Sequence, residues 1–141
     1  MSEEQSVPDR VVATDAAVQL LTKLSELHGG LMIHQSGGCC DGSAPMCYPV
    51  GEYRVGQRDV LVGTITLPEL LPAVRVWING DQFELWKHTQ LILDVVKGRG
   101  AGFSLEAPEG VRFLSRARAF SDDENSVLLA NPPETGASIG V

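Results

Sequence analysis

The stretch TDAAVQLLTKLSELHGGLMIHQ, Thr14 to Gln35, changes its periodicity part-way along. Up to His28 the apolar residues Ala17, Leu20, Leu21, Leu24 and Leu27 recur at spacings of three and four, with Ala16 beside them. That is one face of an amphipathic helix. Thr14 suits the N-cap, Asp15 suits the positive end of the helix dipole, and Gly29-Gly30 ends the run. The next five residues, Leu31 to Gln35, read as a short β-strand. A helix with so apolar a stripe has to dock, and the strand that follows offers a sheet to dock on. The reading from this stretch is therefore α+β.

Downstream the pattern is that of strands. Val60 to Ile65 is a β run, and Pro68 and Pro72 bracket a break. Ala73 to Asn79 alternates, with Val74, Val76 and Ile78 on one face and Arg75, Trp77 and Asn79 on the other. Asn79-Gly80 reads as a hairpin turn, with Phe83 to Lys87 as the returning strand. Leu91 to Val96 and Arg112 to Phe120 complete the set. The expected architecture is one N-terminal helix packed on a mostly antiparallel or mixed sheet of six to seven short strands. Residues 1–12 read as a flexible leader within a single domain over 1–120. Residues 121–141 lose all periodicity and read as a tail, flexible or packed on a partner.

A chain of 141 residues has room for one domain. Lys and Arg number 11 against 18 Asp and Glu, a formal charge of −7. So acidic a chain lacks the basic footprint for nucleic acid or an anionic membrane. No apolar run approaches the ~18 residues of a span, and MSEEQSVPDR has no secretory h-region, so the expected location is the cytoplasm. A sheet of this size leaves open edges, which favours a homodimer.

All three cysteines lie in one stretch, HQSGGCCDGSAPMCYP, from His34 to Pro49. Thiolates are the ligands of zinc and of iron–sulfur clusters, and in a reducing compartment three thiols do not make a disulfide framework. Cys39, Cys40 and Cys47, with His34 and Asp41, are the candidate metal ligands. The glycines allow close backbone approach and the prolines limit the freedom lost on ordering. The spacing does not match C-x₂₋₄-C, and adjacent cysteines point apart. Three readings stay open: a zinc, iron or iron–sulfur site, a nucleophilic or redox thiol, and small apolar residues in a tight turn.

Other residues carry less. His28 suits the C-terminal dipole of the helix, and His88 reads as a solvated turn residue. Asp94, inside an apolar strand, calls for a partner, either at a site or in an arginine of the last strand. Arg112, Arg116 and Arg118 share one face, solvated or set to meet carboxylates. KGRGAG, from Lys97, does not match the dinucleotide fingerprint.

The run LMIHQSGGCCDGSAPMCYP, followed by FELWKHTQLILDVVKGRGAGFSLEAPEGVRFLSRAR, resembles a bacterial family catalogued as a domain of unknown function, number seven-seven-nine. The resemblance spans residues 14 to 120. Members of that family are often encoded beside aldehyde dehydrogenase genes. This implies an accessory role in aldehyde or alcohol metabolism, with an aldehyde dehydrogenase as partner. The order of helix, strand and Gly37-Gly38-Cys39 is also similar to the HesB-like iron–sulfur carriers, as is Asp94 before Gly100-Ala101-Gly102-Phe103. Those carriers bear a second motif, Cys-x-Cys, near the C-terminus, which this chain lacks. Two functions follow as expectations. One is a non-enzymatic accessory protein that binds a metal or cluster at the cysteine loop. The other is a small thiol-dependent enzyme or aldehyde scavenger with Cys39 or Cys40 as nucleophile.

Overall fold

The computed structural model describes residues 7–35, 45–98 and 104–140. Among them eight strands form two sheets, and four helices decorate them. The first sheet holds β1 (Val11–Ala13), β6 (Thr89–Lys97) and β7 (Val111–Ala119), in the order β1-β6-β7. The second runs β3-β2-β5-β4-β8, from β2 (Leu31–Gln35), β3 (Met46–Pro49), β4 (Val60–Ile65), β5 (Val74–Ile78) and β8 (Glu134–Thr135). Both sheets are mixed: β1 runs parallel to β6 and β2 to β5, while the other pairs are antiparallel.

One core joins them. Leu91, Leu93 and Phe113 of the first sheet meet Ile33, Val74, Val76 and Ile78 of the second. Helix α1 (Asp15–His28) adds Ala17, Leu21 and Leu24 to that core. Its cap is the expected one, since the Thr14 hydroxyl accepts from Ala17 N. The same hydroxyl donates to Asp94 at 2.9 Å, so the helix start is pinned to β6. The sheets come closest where β1 crosses β4. A Cβ on Gly63 would lie 2.8 Å from Val11 Cγ1, so this crossing demands glycine.

The helix, and the strands expected over residues 31–35 and 60–65, stand where the sequence puts them. Five readings need correction. Asn79-Gly80 is not a hairpin turn, and Phe83 to Lys87 is not a strand. Asn79 caps α2 (Gly80–Trp86) by accepting from Asp81 N, and position 80 has to be glycine because a Cβ there would sit 2.5 Å from Arg58 O. β1 begins inside the expected leader, where Val11 is buried against β6. The stretch from 121 is no loose tail among the described residues: Ser121 and Glu124 form a capping box for α3 (Asp122–Leu129). β8 then pairs with β4, and α4 (Gly136–Ile139) follows. A single N-terminal helix is therefore not what the chain has. No helix of the described residues is long and apolar enough to cross a membrane.

Candidate functional site

Of the five candidate ligands, Cys39, Cys40 and Asp41 lie outside the described residues; His34 and Cys47 lie within them. The register of β2 against β3 separates these two. Cys47 sits opposite Ile33, and His34 sits opposite Met46. Successive residues of a strand point to opposite faces, and directly opposed residues share one. Cys47 therefore faces the core with Ile33, while His34 faces the other side with Trp77, its neighbour on β5. One ion cannot draw on both from a single chain. Among the described residues no three His, Cys, Asp or Glu side chains converge as a metal site.

Cys47 is fully buried. Burial first, and then the nearby Glu106 carboxylate, push its thiol far above its ordinary range. Its side chain is part of the core cluster with Ile33, and as a thiol it is a poor nucleophile. Its backbone belongs to a seam that sequence reasoning missed. Cys47 N donates to Ser104 Oγ at 2.9 Å, and Leu105 N donates to Cys47 O at 3.0 Å. Residues 104–105 thus cover the outer edge of β3, a row of groups that would otherwise be open to another chain. The Ser104 hydroxyl donates in turn to Glu106, whose other oxygen accepts from Phe113 N on β7 at 3.3 Å. Glu106 is 1% exposed. A carboxylate so buried is tolerable because both oxygens have donors. A parallel stitch joins Ser115 of β7 to Gln35 of β2, hydroxyl to amide oxygen, at 3.0 Å.

The other face of β2 carries different chemistry. His34 is 2% exposed, and its Nε2 lies 3.1 Å from Oδ2 of Asp59. The Tyr53 ring centroid is 4.4 Å from that of His34, and Tyr48 stacks on Tyr53 at 4.8 Å. Burial, then Tyr53 and Glu106, raise the Tyr48 phenol above its usual value. Asp59 is held from behind. Gly56 N donates to the same Oδ2 at 2.8 Å, and Gly136 N donates to Asp59 O at 2.9 Å. The C-terminal element that the sequence left as tail therefore ties down the backbone of Asp59, while Gly56 N holds its carboxylate. The residues run directly from Gln35 into the cysteine-rich stretch, so His34 stands five positions before Cys39.

Asp94 finds the arginine expected of it, accepting from Arg116 Nε at 2.8 Å as well as from Thr14. Arg118 pairs with Glu124 of α3. The arginine face is thus spent largely on the chain's own acids.

A model of the family described as domain of unknown function (DUF779) matches residues 20–119, well over half of the chain. The chain belongs to the DUF779 family. No curated protein and no solved structure matches it, and the HesB-like similarity is not shown. The DUF779 match takes in His34, the whole cysteine-rich stretch, Asp59 and Glu106, and ends before α3.

Proposed function

We propose that this DUF779 protein is a non-enzymatic accessory protein of aldehyde or alcohol metabolism that holds a zinc or iron ion, or an iron–sulfur cluster, at the end of β2. The proposed donors are Cys39, Cys40, Asp41 and His34; Cys47 is left to the core. The observation that carries this reading is the 3.1 Å approach of Asp59 to His34. Metal-ligating histidines characteristically have a carboxylate behind the ring, which sets tautomer and orientation. Here the Asp59 carboxylate accepts from Gly56 N and its backbone carbonyl from Gly136 N, and His34 stands at the head of the stretch that holds both remaining thiols. Docking on an aldehyde dehydrogenase is part of the proposal and rests on the family.

Elemental analysis of anaerobically purified protein tests the metal. We expect about one zinc or iron per chain, or an iron–sulfur chromophore, lost in Cys39→Ser/Cys40→Ser and in His34→Gln but kept in Cys47→Ala. Metal-free protein, or metal retained without Cys39 and Cys40, removes the reading. Co-purification with an aldehyde dehydrogenase tests the partner, and its failure removes that half alone.

The same His34–Asp59 contact favours one second reading, a thiol nucleophile at Cys39 or Cys40 served by a carboxylate-oriented base. Alkylation rate against pH separates the two. A thiol reacting well below the ordinary ~8.5 in metal-free protein supports the nucleophile.

A further inference from the structure

An apolar-lined recess in the described residues involves none of the residues discussed so far as ligands. It has a volume of about 190 Å³ and opens between α2 and α3. Phe83, Leu128, Leu129 and Pro133 form apolar walls. Arg10 and Lys87 stand among them. A small adjoining cavity of about 10 Å³ shares Arg10, Phe83 and Lys87 with the first and is lined by Trp86.

Two donors on the residues that line these cavities have no acceptor. Arg10 Nε and Trp86 Nε1 are both buried and have no hydrogen-bond partner among the described residues. Trp86 is 6% exposed, so its indole N–H has no ready route to bulk water. The Arg10 guanidinium is fixed rather than free: its terminal nitrogen donates to Leu128 O at 3.0 Å and to Asn131 O at 2.9 Å. No acid of the described residues lies within ion-pair distance of it. Partial burial lowers its pKa from the ordinary arginine value. The second cation, Lys87, pairs with Glu84 at 2.9 Å across an exposed surface, a contact that costs little to exchange. Glu84 itself lines the recess, and His88 lies exposed at its rim.

We propose that this recess binds a short-chain carboxylate. The head group takes the Arg10 Nε–H, with Lys87 as counter-charge, and the hydrocarbon lies against Phe83 and Leu128; Trp86 Nε1–H, on the adjoining cavity of about 10 Å³, reports the change beside Arg10. The volume is below the ~300 Å³ of drug-sized sites, which limits the tail to a few carbons. An anion is selected because the recess is a fixed cation on a chain of charge −7, where the surrounding field otherwise repels negative ligands. An apolar tail is selected by the walls, so inorganic anions gain only the head-group part. This assignment is independent of the metal reading, since it uses no residue of the cysteine stretch.

The test is a titration of ¹⁵N-labelled full chain with hexanoate, hexan-1-ol and inorganic phosphate, followed at the Trp86 indole N–H and the Arg10 Nε–H. Hexanoate is expected to move both resonances saturably, with hexan-1-ol and phosphate weaker by about tenfold or more. Arg10→Lys keeps the charge and loses the Nε donor, and is expected to weaken hexanoate by a similar factor. Because Arg10 also ties down two carbonyls, a second variant leaves it alone. Leu129→Trp, at a position 75% exposed on the wall, fills the recess and is expected to abolish the shifts in a protein with unchanged circular dichroism. The assignment fails if neither resonance saturates with hexanoate. It fails equally if hexan-1-ol binds as well, or if folded Leu129→Trp binds undiminished.

Discussion

Two polar groupings flank the same pair of strands, and they are built on opposite plans. At the outer edge of β3, Ser104 and Glu106 serve backbone: Cys47 N, Phe113 N and, through Leu105, Cys47 O. On the outward face of β2, His34 and Asp59 meet side chain to side chain under half-buried tyrosines. A carboxylate that satisfies main-chain donors is part of the fold, because removing it strands groups that have no alternative. A histidine held by a carboxylate of a loop can trade its surroundings more cheaply. The difference assigns structure to Glu106 and leaves chemistry to His34, although both are buried carboxylate systems near cysteines.

The sharpest way to break this distinction is to delete each in turn. Glu106→Ala leaves the Ser104 hydroxyl and Phe113 N without their acceptor, and is expected to cost about 3 kcal/mol in urea unfolding. His34→Gln, which keeps a polar side chain beside Asp59, is expected to cost about 1 kcal/mol. Equal losses, or a larger loss at His34, would put the structural anchor on the wrong face. The comparison is clean because each variant leaves the other grouping intact.

Cys47 sharpens the same point. Its side chain lies in the core and its backbone in the seam. Cys47→Ser adds a hydroxyl to an apolar site and is expected to cost about 2 kcal/mol, whereas Cys47→Ala loses mainly packing volume and costs about 1 kcal/mol. In native protein, mass-spectrometric footprinting with iodoacetamide is expected to spare Cys47 until urea unfolds the chain, because burial holds it as the thiol. Rapid native labelling of Cys47 would return it to the candidate site.

How much of this was legible beforehand depends on the range of the interactions. Helix α1 was readable to its caps, since Thr14, Asp15 and Gly29 act within one turn of the element they end. β5 was readable because alternation is local. Asn79-Gly80 misled because the same pair that suits a hairpin also suits an N-cap; the deciding contact, Gly80 against Arg58, spans a distance in sequence that no window reports. β8 is two residues long and exists only because β4 offers an edge. The separation of His34 from Cys47 could not be read either. Both are in one cysteine-rich stretch, and only the register of β3 decides that the second faces inward. Glu106 and Asp59 gave no signal, being acids in irregular segments whose burial is a tertiary fact. Asp94 was the exception among acids, since a carboxylate inside an apolar strand announces that it needs a cation.

That pair yields the smallest expected effect. Hydrogen bonds from Arg116 first, then from Val95 N, hold the Asp94 carboxyl below its ordinary range, with a further contribution from Thr14. A depressed folded-state pKa stabilises the native chain above the unfolded value of about 3.9, and the gain fades as pH falls through the folded value. Glu124, brought down to about 2 chiefly by Arg118, acts in the same direction over the same acid range. Unlike the buried groupings, both pairs stand partly in water, Arg116 being 47% and Arg118 46% exposed, so salt screens them. Asp94→Asn is therefore expected to leave stability near pH 7 slightly reduced and to flatten its decline between about pH 4 and pH 2. Repeating the pH series at high salt should shrink the difference between variant and wild type. An Asp94→Asn protein that unfolds in acid as steeply as wild type would show that the titrating groups which matter lie elsewhere, and the buried acids of the two groupings would be the next to replace.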